Sequence, residues 1–188
     1  MRIKNWLITA LCLVSPSLYA HTGGLVEASL MTGLLHPLTG IDHLLVLMAV
    51  GLIAAKQGGR ALVAFPFTFL ALMAAGALLN VYAIQLPFVE PLITVSIIAF
   101  GLLVSVNQKQ RSKILFMAVS FFAVFHGYAH AAEIPADSSA TLYFSALMLM
   151  SLAICLGSSV VGLYTGKRVH YLFSLACLSS GLYYLAAG

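Results

Sequence analysis

The sequence predicts an all-α fold, a polytopic membrane helical bundle of six transmembrane helices that follows a cleavable signal peptide. Of the 188 residues, 62% are hydrophobic and only 7% are charged, whereas about 25% of the residues in a soluble domain are charged. The same balance excludes a disordered chain, which needs low hydrophobicity and high net charge. The sequence lacks the repeated alternation of apolar and polar residues that is typical of an outer-membrane barrel, so a barrel is not expected.

The first 20 residues have the pattern of a secretory signal. Two positive residues begin it, an apolar run follows at 6–14, and Ala20 supplies a small residue at the cleavage site. The mature chain, 21–188, is then a single transmembrane domain. It would begin with His21, whose amine and imidazole can together chelate a metal or simply form a flexible outer end.

Six apolar segments after the signal are long enough to cross a bilayer, which takes about 20 residues. These segments are 36–55, 61–80, 88–106, 114–133, 140–164 and 171–187. The connections between them are short, so no soluble catalytic domain is expected.

The positive residues predict the orientation of the six segments. Of the nine Lys and Arg residues, two lie in the signal, and the other seven all fall in the first, third and fifth connections. These seven are Lys56, Arg60, Lys109, Arg111, Lys113, Lys167 and Arg168. Because cytoplasmic loops carry an excess of Lys and Arg, we expect a bacterial inner-membrane protein with both mature termini in the periplasm. The basic charge is a topology signal, and no nucleic-acid partner is expected.

The segment 22–35 is left outside the six spans. Its apolar part, 25–35, is too short to span, so we expect it to lie in the outer interface or to enter the membrane and return. His36 precedes Pro37, and a residue before proline disfavours helical geometry. We therefore expect a break at 36–40, with Pro37 in the first turn of the next helix.

Ionisable residues within the apolar segments form two clusters, and such residues usually mark a functional site. The first cluster comprises His36, Asp42 and His43. The two histidines share one face if the helix is continuous. Asp42 is either a ligand or a partner for the second nitrogen of the His43 ring.

The second cluster comprises His126, His130 and Glu133, which share one helical face at this spacing. Imidazoles with a carboxylate suit nickel, cobalt, zinc or iron. Counted along the helices, His43 and His126 both lie roughly 20 Å from the cytoplasmic side. His36 and Glu133 both lie roughly 30 Å from it. The two clusters are therefore expected to meet level by level and to line a path.

Other chemically reactive residues carry weaker signals. Met48 is either a soft ligand below His43 or a packing residue. His170 stands beside basic residues and is expected to be solvated. Cys155 and Cys177 have no paired spacing and are expected to be buried as small hydrophobic residues.

The two clusters carry a resemblance to the HupE/UreJ family of small membrane proteins associated with hydrogenase and urease maturation. The matching stretches are HPLTGIDHLLVLMAVGL at 36–52, FHGYAHAAEIP at 125–135 and GGRAL at 58–62. The resemblance implies a protein that moves nickel or cobalt, with metal handled by His36, Asp42, His43, His126, His130 and Glu133. The sequence differs from many relatives in having Tyr128 where they have histidine, so the identity of the metal stays open.

The leading hypothesis is an inner-membrane permease that imports a divalent transition metal, Ni²⁺ or Co²⁺ first and Zn²⁺ also compatible, from the periplasm. It is not expected to be an enzyme or to hold a prosthetic group. The expected partners are the lipid bilayer and the metal ion, and a homo-oligomer stays open. Two alternatives are an intramembrane zinc-dependent hydrolase and a non-transporting metal-binding accessory subunit.

Overall fold

The computed structural model describes residues 25–105 and 112–187. The predicted signal peptide, His21 and two basic residues of the third connection, Lys109 and Arg111, lie outside the described residues. Within the described ranges the regular structure is entirely helical. The seven helices there are α1 (Leu25–Thr39), α2 (Ile41–Gln57), α3 (Ala61–Val81), α4 (Val89–Ser105), α5 (Ser112–Ala132), α6 (Ala140–Tyr164) and α7 (Lys167–Ala187).

Helices α2 to α7 coincide in position with the six predicted spans, but they do not all have the length and apolarity of a membrane span. Four of the described helices, α3, α5, α6 and α7, are long and apolar enough to cross a bilayer. If the bent pair of α1 and α2 counts as one span, the number of candidate spans rises to five. Helix α4 is apolar but shorter. The protein is therefore a multi-pass membrane protein, and the count of six spans stays a prediction.

The first predicted span is wrong at its beginning. The helix begins at Ile41 rather than at residue 36, and His36 and Pro37 belong to the end of the preceding helix. A 75° bend separates α1 from α2 at Gly40, which has an extended backbone. The expected break thus exists, but it follows Pro37. The apolar stretch 25–35 is part of a helix that packs against α6.

The bundle is held together by pairs of closely packed helices: α3 with α5, α2 with α6, and α4 with α7. The centre of α2 is fully buried, with Val50 and Ile53 both at 0% exposure. On α5, a methyl group at Gly127 would overlap the carbonyl oxygen of Met73 in α3. Gly76 makes the reciprocal approach to Val124 in α5. Small residues therefore fix the distance between α3 and α5, as in other membrane helix pairs.

The last helix extends further toward the basic side than predicted. It begins at Lys167 instead of residue 171. The expectation for His170 is wrong for this reason: the ring lies in the first turns of α7, where it is buried and 3.4 Å from the hydroxyl of Thr165. The expectation for the two cysteines is confirmed, since Cys155 and Cys177 are both buried free thiols.

Candidate metal centre

The break between α1 and α2 brings two histidines of the first cluster together. His36 lies in the last turn of α1 and His43 in the first turn of α2. Gly40 joins the helices, accepting a backbone hydrogen bond from Leu44 at 2.9 Å. A Cβ on Gly40 would lie 2.8 Å from the His43 ring. The sharp turn and the missing side chain at Gly40 thus let the two rings come within 5.6 Å, centre to centre.

The end of α5 supplies the second cluster. His126 and His130 occupy successive turns of this helix. Glu133 follows the last helical residue, and its backbone N–H still bonds to the carbonyl of Ala129 at 3.1 Å. The carboxylate therefore stays on the helical face of His130, and its Oε2 lies 3.5 Å from Nδ1 of that ring. The predicted one-face arrangement of the second cluster is confirmed.

Three histidines surround the carboxylate of Glu133. Its Oε2 lies 3.1 Å from Nε2 of His36 and 3.8 Å from Nε2 of His43. With His130 these residues form a four-membered group, which we call the His₃Glu cluster, and their potential ligand atoms all lie within 4.8 Å of one another. Metal bonds of about 2.1 Å place two ligand atoms at most about 4.2 Å apart. A small contraction would therefore let all four residues bind one ion.

The His₃Glu cluster is closed toward the protein and open on one side. His43 and His130 are buried, whereas the side chains of His36 and Glu133 are 23% and 44% exposed. Within the described residues, Nδ1 of His43 and Nδ1 of His130 are buried without a hydrogen bond. Leaving a buried polar atom unsatisfied costs about 1–3 kcal/mol. Nδ1 of His130 faces the Glu133 carboxylate and fits a site that is completed by an ion, whereas His43 turns its Nε2 to that carboxylate.

The charge of the Glu133 carboxylate is favoured by its surroundings. Its partial burial would by itself raise the pKa. The contacts with His130 and His36 and the nearby His43 outweigh that effect and hold the pKa of Glu133 well below its ordinary value. Asp42 adds a second carboxylate, with Oδ2 3.6 Å from Nε2 of His43. Asp42 lies outside the four-membered group, so it stands beside the cluster as a neighbour of His43.

His126 lies one level deeper than the His₃Glu cluster. Its ring centre is 5.7 Å from that of His43, and its Nε2 is 2.9 Å from the hydroxyl of Ser96 in α4. The same hydroxyl donates to the carbonyl of Ile93 at 2.6 Å. The contact with Ser96 engages Nε2 of His126 and leaves Nδ1 as the ring nitrogen that could bind a cation.

Two residues at the site were missed by sequence reasoning. Ser96 orients His126, and Tyr143 of α6 places its ring 5.8 Å from that of His36. Tyr143 is fully buried, and its hydroxyl has no hydrogen-bond partner among the described residues. Neither residue belongs to a sequence motif. A tyrosine near the outer end of an apolar segment was the only available signal, and it is a weak one.

Among the described residues the His/Asp/Glu lining ends at His126, and the predicted path lined by these residues stays a prediction. Toward the basic end of the bundle, α2 and α5 present buried apolar residues such as Ile53 and Val119, both at 0% exposure. Met48 does not join the cluster. It lines an apolar cavity of about 300 Å³ between α2, α6 and α7. The cause is geometric: five residues after His43, Met48 points to a different face of α2.

The fold and the cluster define a class of protein, a multi-pass helical membrane protein with three histidines and a glutamate gathered near one end. The family described as HupE / UreJ protein matches residues 9–187. The chain is also 34% identical over 169 residues to Protein HupE of Rhizobium leguminosarum bv. viciae, covering 89% of this chain and 88% of that protein. No solved structure gives a significant match. The chain belongs to the HupE/UreJ family.

Proposed function

We propose that the protein is an inner-membrane permease that imports a divalent transition metal, nickel or cobalt first, from the periplasm into the cytoplasm. The observation that carries this proposal is the His₃Glu cluster, whose ligand atoms lie within 4.8 Å of one another. Three imidazoles with one carboxylate are a ligand set for borderline metals such as Ni²⁺, Co²⁺ and Zn²⁺. Family membership supports a metal-related accessory role in hydrogenase or urease maturation.

The exposed part of the cluster is its entry side. His36 and Glu133 are partly exposed, so they would meet a metal ion first. The one-sided distribution of positive residues supports placing this end in the periplasm, with both mature termini on the same side. The ion would then move to the buried rings of His43 and His130, and next to His126.

The apolar packing below His126 requires a conformational change before the ion can leave on the other side. Irregular backbone at membrane depth is found where it is buried in protein or lines a cavity. The 75° bend at Gly40 is a break of this kind between two helices. A change in that angle would move the first turn of α2, and with it His43. The driving force would be the membrane potential, about 4.6 kcal/mol per 100 mV for a doubly charged ion.

Flux into proteoliposomes tests the proposal with a panel of Ni²⁺, Co²⁺ and Zn²⁺. We expect saturable uptake of at least one ion by the native chain, and its loss in His43→Ala and His130→Ala. Met48→Leu is the matched control, because it conserves volume on the same helix away from the cluster. Metal binding without flux would overturn the permease and favour an accessory subunit. Zinc-dependent cleavage of an amide or lipid would favour the hydrolase.

A further inference from the structure

A cavity lined by basic side chains lies at the end of the bundle opposite the His₃Glu cluster. It is formed where α2 and α4 end and α7 begins, and its volume is about 410 Å³. Its lining includes Lys56, Ser105, Lys167, His170 and Tyr171. Lys56 lies roughly 20 Å along α2 from His43, so the two sites are separate. The volume falls in the range of about 300–1,000 Å³ that is typical of small-molecule sites.

The charge around this cavity is entirely positive. Lys56 and Lys167 both line it, and Arg168 follows directly in the chain. All five carboxylate side chains belong to the other end of the bundle: Glu27, Asp42, Glu90, Glu133 and Asp137. The first three are in the first turns of α1, α2 and α4, and the last two are in the connection from α5 to α6. A concave surface that is lined by cations, with no carboxylate at its end of the molecule, attracts anions.

The cavity is also partly organised before any ligand binds. The Lys56 ammonium donates to the carbonyl of Val104 at 2.6 Å, which fixes it at the wall between α2 and α4. His170 is held by its contact with the hydroxyl of Thr165. Groups that are already positioned lose less conformational freedom on binding.

We infer that this cavity binds a phosphate group, supplied by the headgroup of an anionic phospholipid. Lys56 and Lys167 would contact the phosphate oxygens through charge-assisted hydrogen bonds. The outer surface of α7 beside the cavity is apolar and exposed, with Tyr171 at 59% and Leu172 at 64%. Such a surface suits acyl chains, and tyrosine is enriched at the membrane interface. A free phosphate ion would make no use of it.

Native mass spectrometry of the full chain, released from nanodiscs, tests this inference. The nanodiscs contain an equal mixture of phosphatidylglycerol and phosphatidylcholine. We expect phosphatidylglycerol to be retained preferentially, and Lys56→Gln and Lys167→Gln each to reduce its retention about fivefold. Lys113→Gln is the matched control, because Lys113 lies at the same end of the bundle but lines a different cavity with Phe65, Phe116 and Met117.

Three results would overturn the inference. They are equal retention of the two lipids, an equal loss in all three lysine variants, and no loss in Lys56→Gln and Lys167→Gln. Adding inorganic phosphate to protein in phosphatidylcholine nanodiscs distinguishes the source of the group. Thermal stabilisation by inorganic phosphate that disappears in Lys167→Gln would keep the phosphate site and assign it to the free ion. None of these measurements involves metal, so the inference and the proposed permease can fail independently.

Discussion

Replacing Gly127 with alanine measures how closely α3 and α5 must pack for the site to form. Gly127 follows His126 directly, and an added methyl group would overlap the carbonyl of Met73. Relief requires α3 and α5 to separate, because the obstructing atom is backbone and cannot rotate away. Gly157 in α6 provides the matched control, because a methyl group there meets nothing within 4 Å.

The size of the expected destabilisation follows from comparing these two substitutions. Each replaces a helical glycine with alanine, so each gains about 1 kcal/mol of helix propensity, and this gain cancels. The remaining difference is the overpacking cost at Gly127, about 3 kcal/mol at the upper end of the usual range. Gly127→Ala should thus be less stable than Gly157→Ala by about 150-fold in the folded-to-unfolded ratio.

Reversible unfolding in mixed micelles, followed by circular dichroism, gives the two free energies of unfolding. Metal affinity should fall in Gly127→Ala as well, because α5 carries His126 and His130. Equal stability of the two variants would refute the close approach of α3 and α5. A destabilised Gly127→Ala with unchanged metal affinity would refute the link between this packing and the site.

Three further predictions concern the candidate metal centre. Nickel or cobalt at 100 times its Kd should raise the free energy of unfolding by about 2.7 kcal/mol; thermal unfolding measures this, and an equal rise in His43→Ala would argue against the cluster. Ser96→Ala removes the hydroxyl that holds His126 and should lower the free energy of unfolding by about 1–3 kcal/mol. Ser105→Ala, exposed on the same helix, should change stability by less than about 0.5 kcal/mol, and similar losses in both would contradict a specific role for Ser96. Gly40→Ala should weaken metal binding in calorimetry while leaving the fold intact, since its Cβ would lie 2.8 Å from the His43 ring; unchanged affinity would count against that steric argument.

Local helical spacing made the second cluster predictable. His126, His130 and Glu133 come from a single continuous segment, so the period of the helix alone places them on one face. The meeting of the two clusters was also predictable in part, since counting residues from the basic ends put His43 and His126 at the same depth. The count was off by about one helical turn, because the His43 ring lies 4.1 Å from that of His130 and 5.7 Å from that of His126.

Features that depend on several helices could not be predicted in this way. Ser96 reaches His126 from α4, and Tyr143 reaches His36 from α6. Nothing in the sequence near either residue indicates its partner. The apolar closure below His126 likewise results from the packing of neighbouring helices, and no single segment indicates it.

The sequence by itself determined the hydrophobicity, the six candidate ligand residues and the one-sided distribution of basic charge. Each of these is a property of one segment or of its ends. Only the tertiary structure decided that Pro37 lies inside the last turn of one helix rather than at the start of the next, and that Gly40 carries the 75° bend. The physical reason is that α1 is stabilised by packing on α6, which outweighs the local preference of the residue before proline. That packing puts His36 opposite Glu133 and thereby completes the cluster.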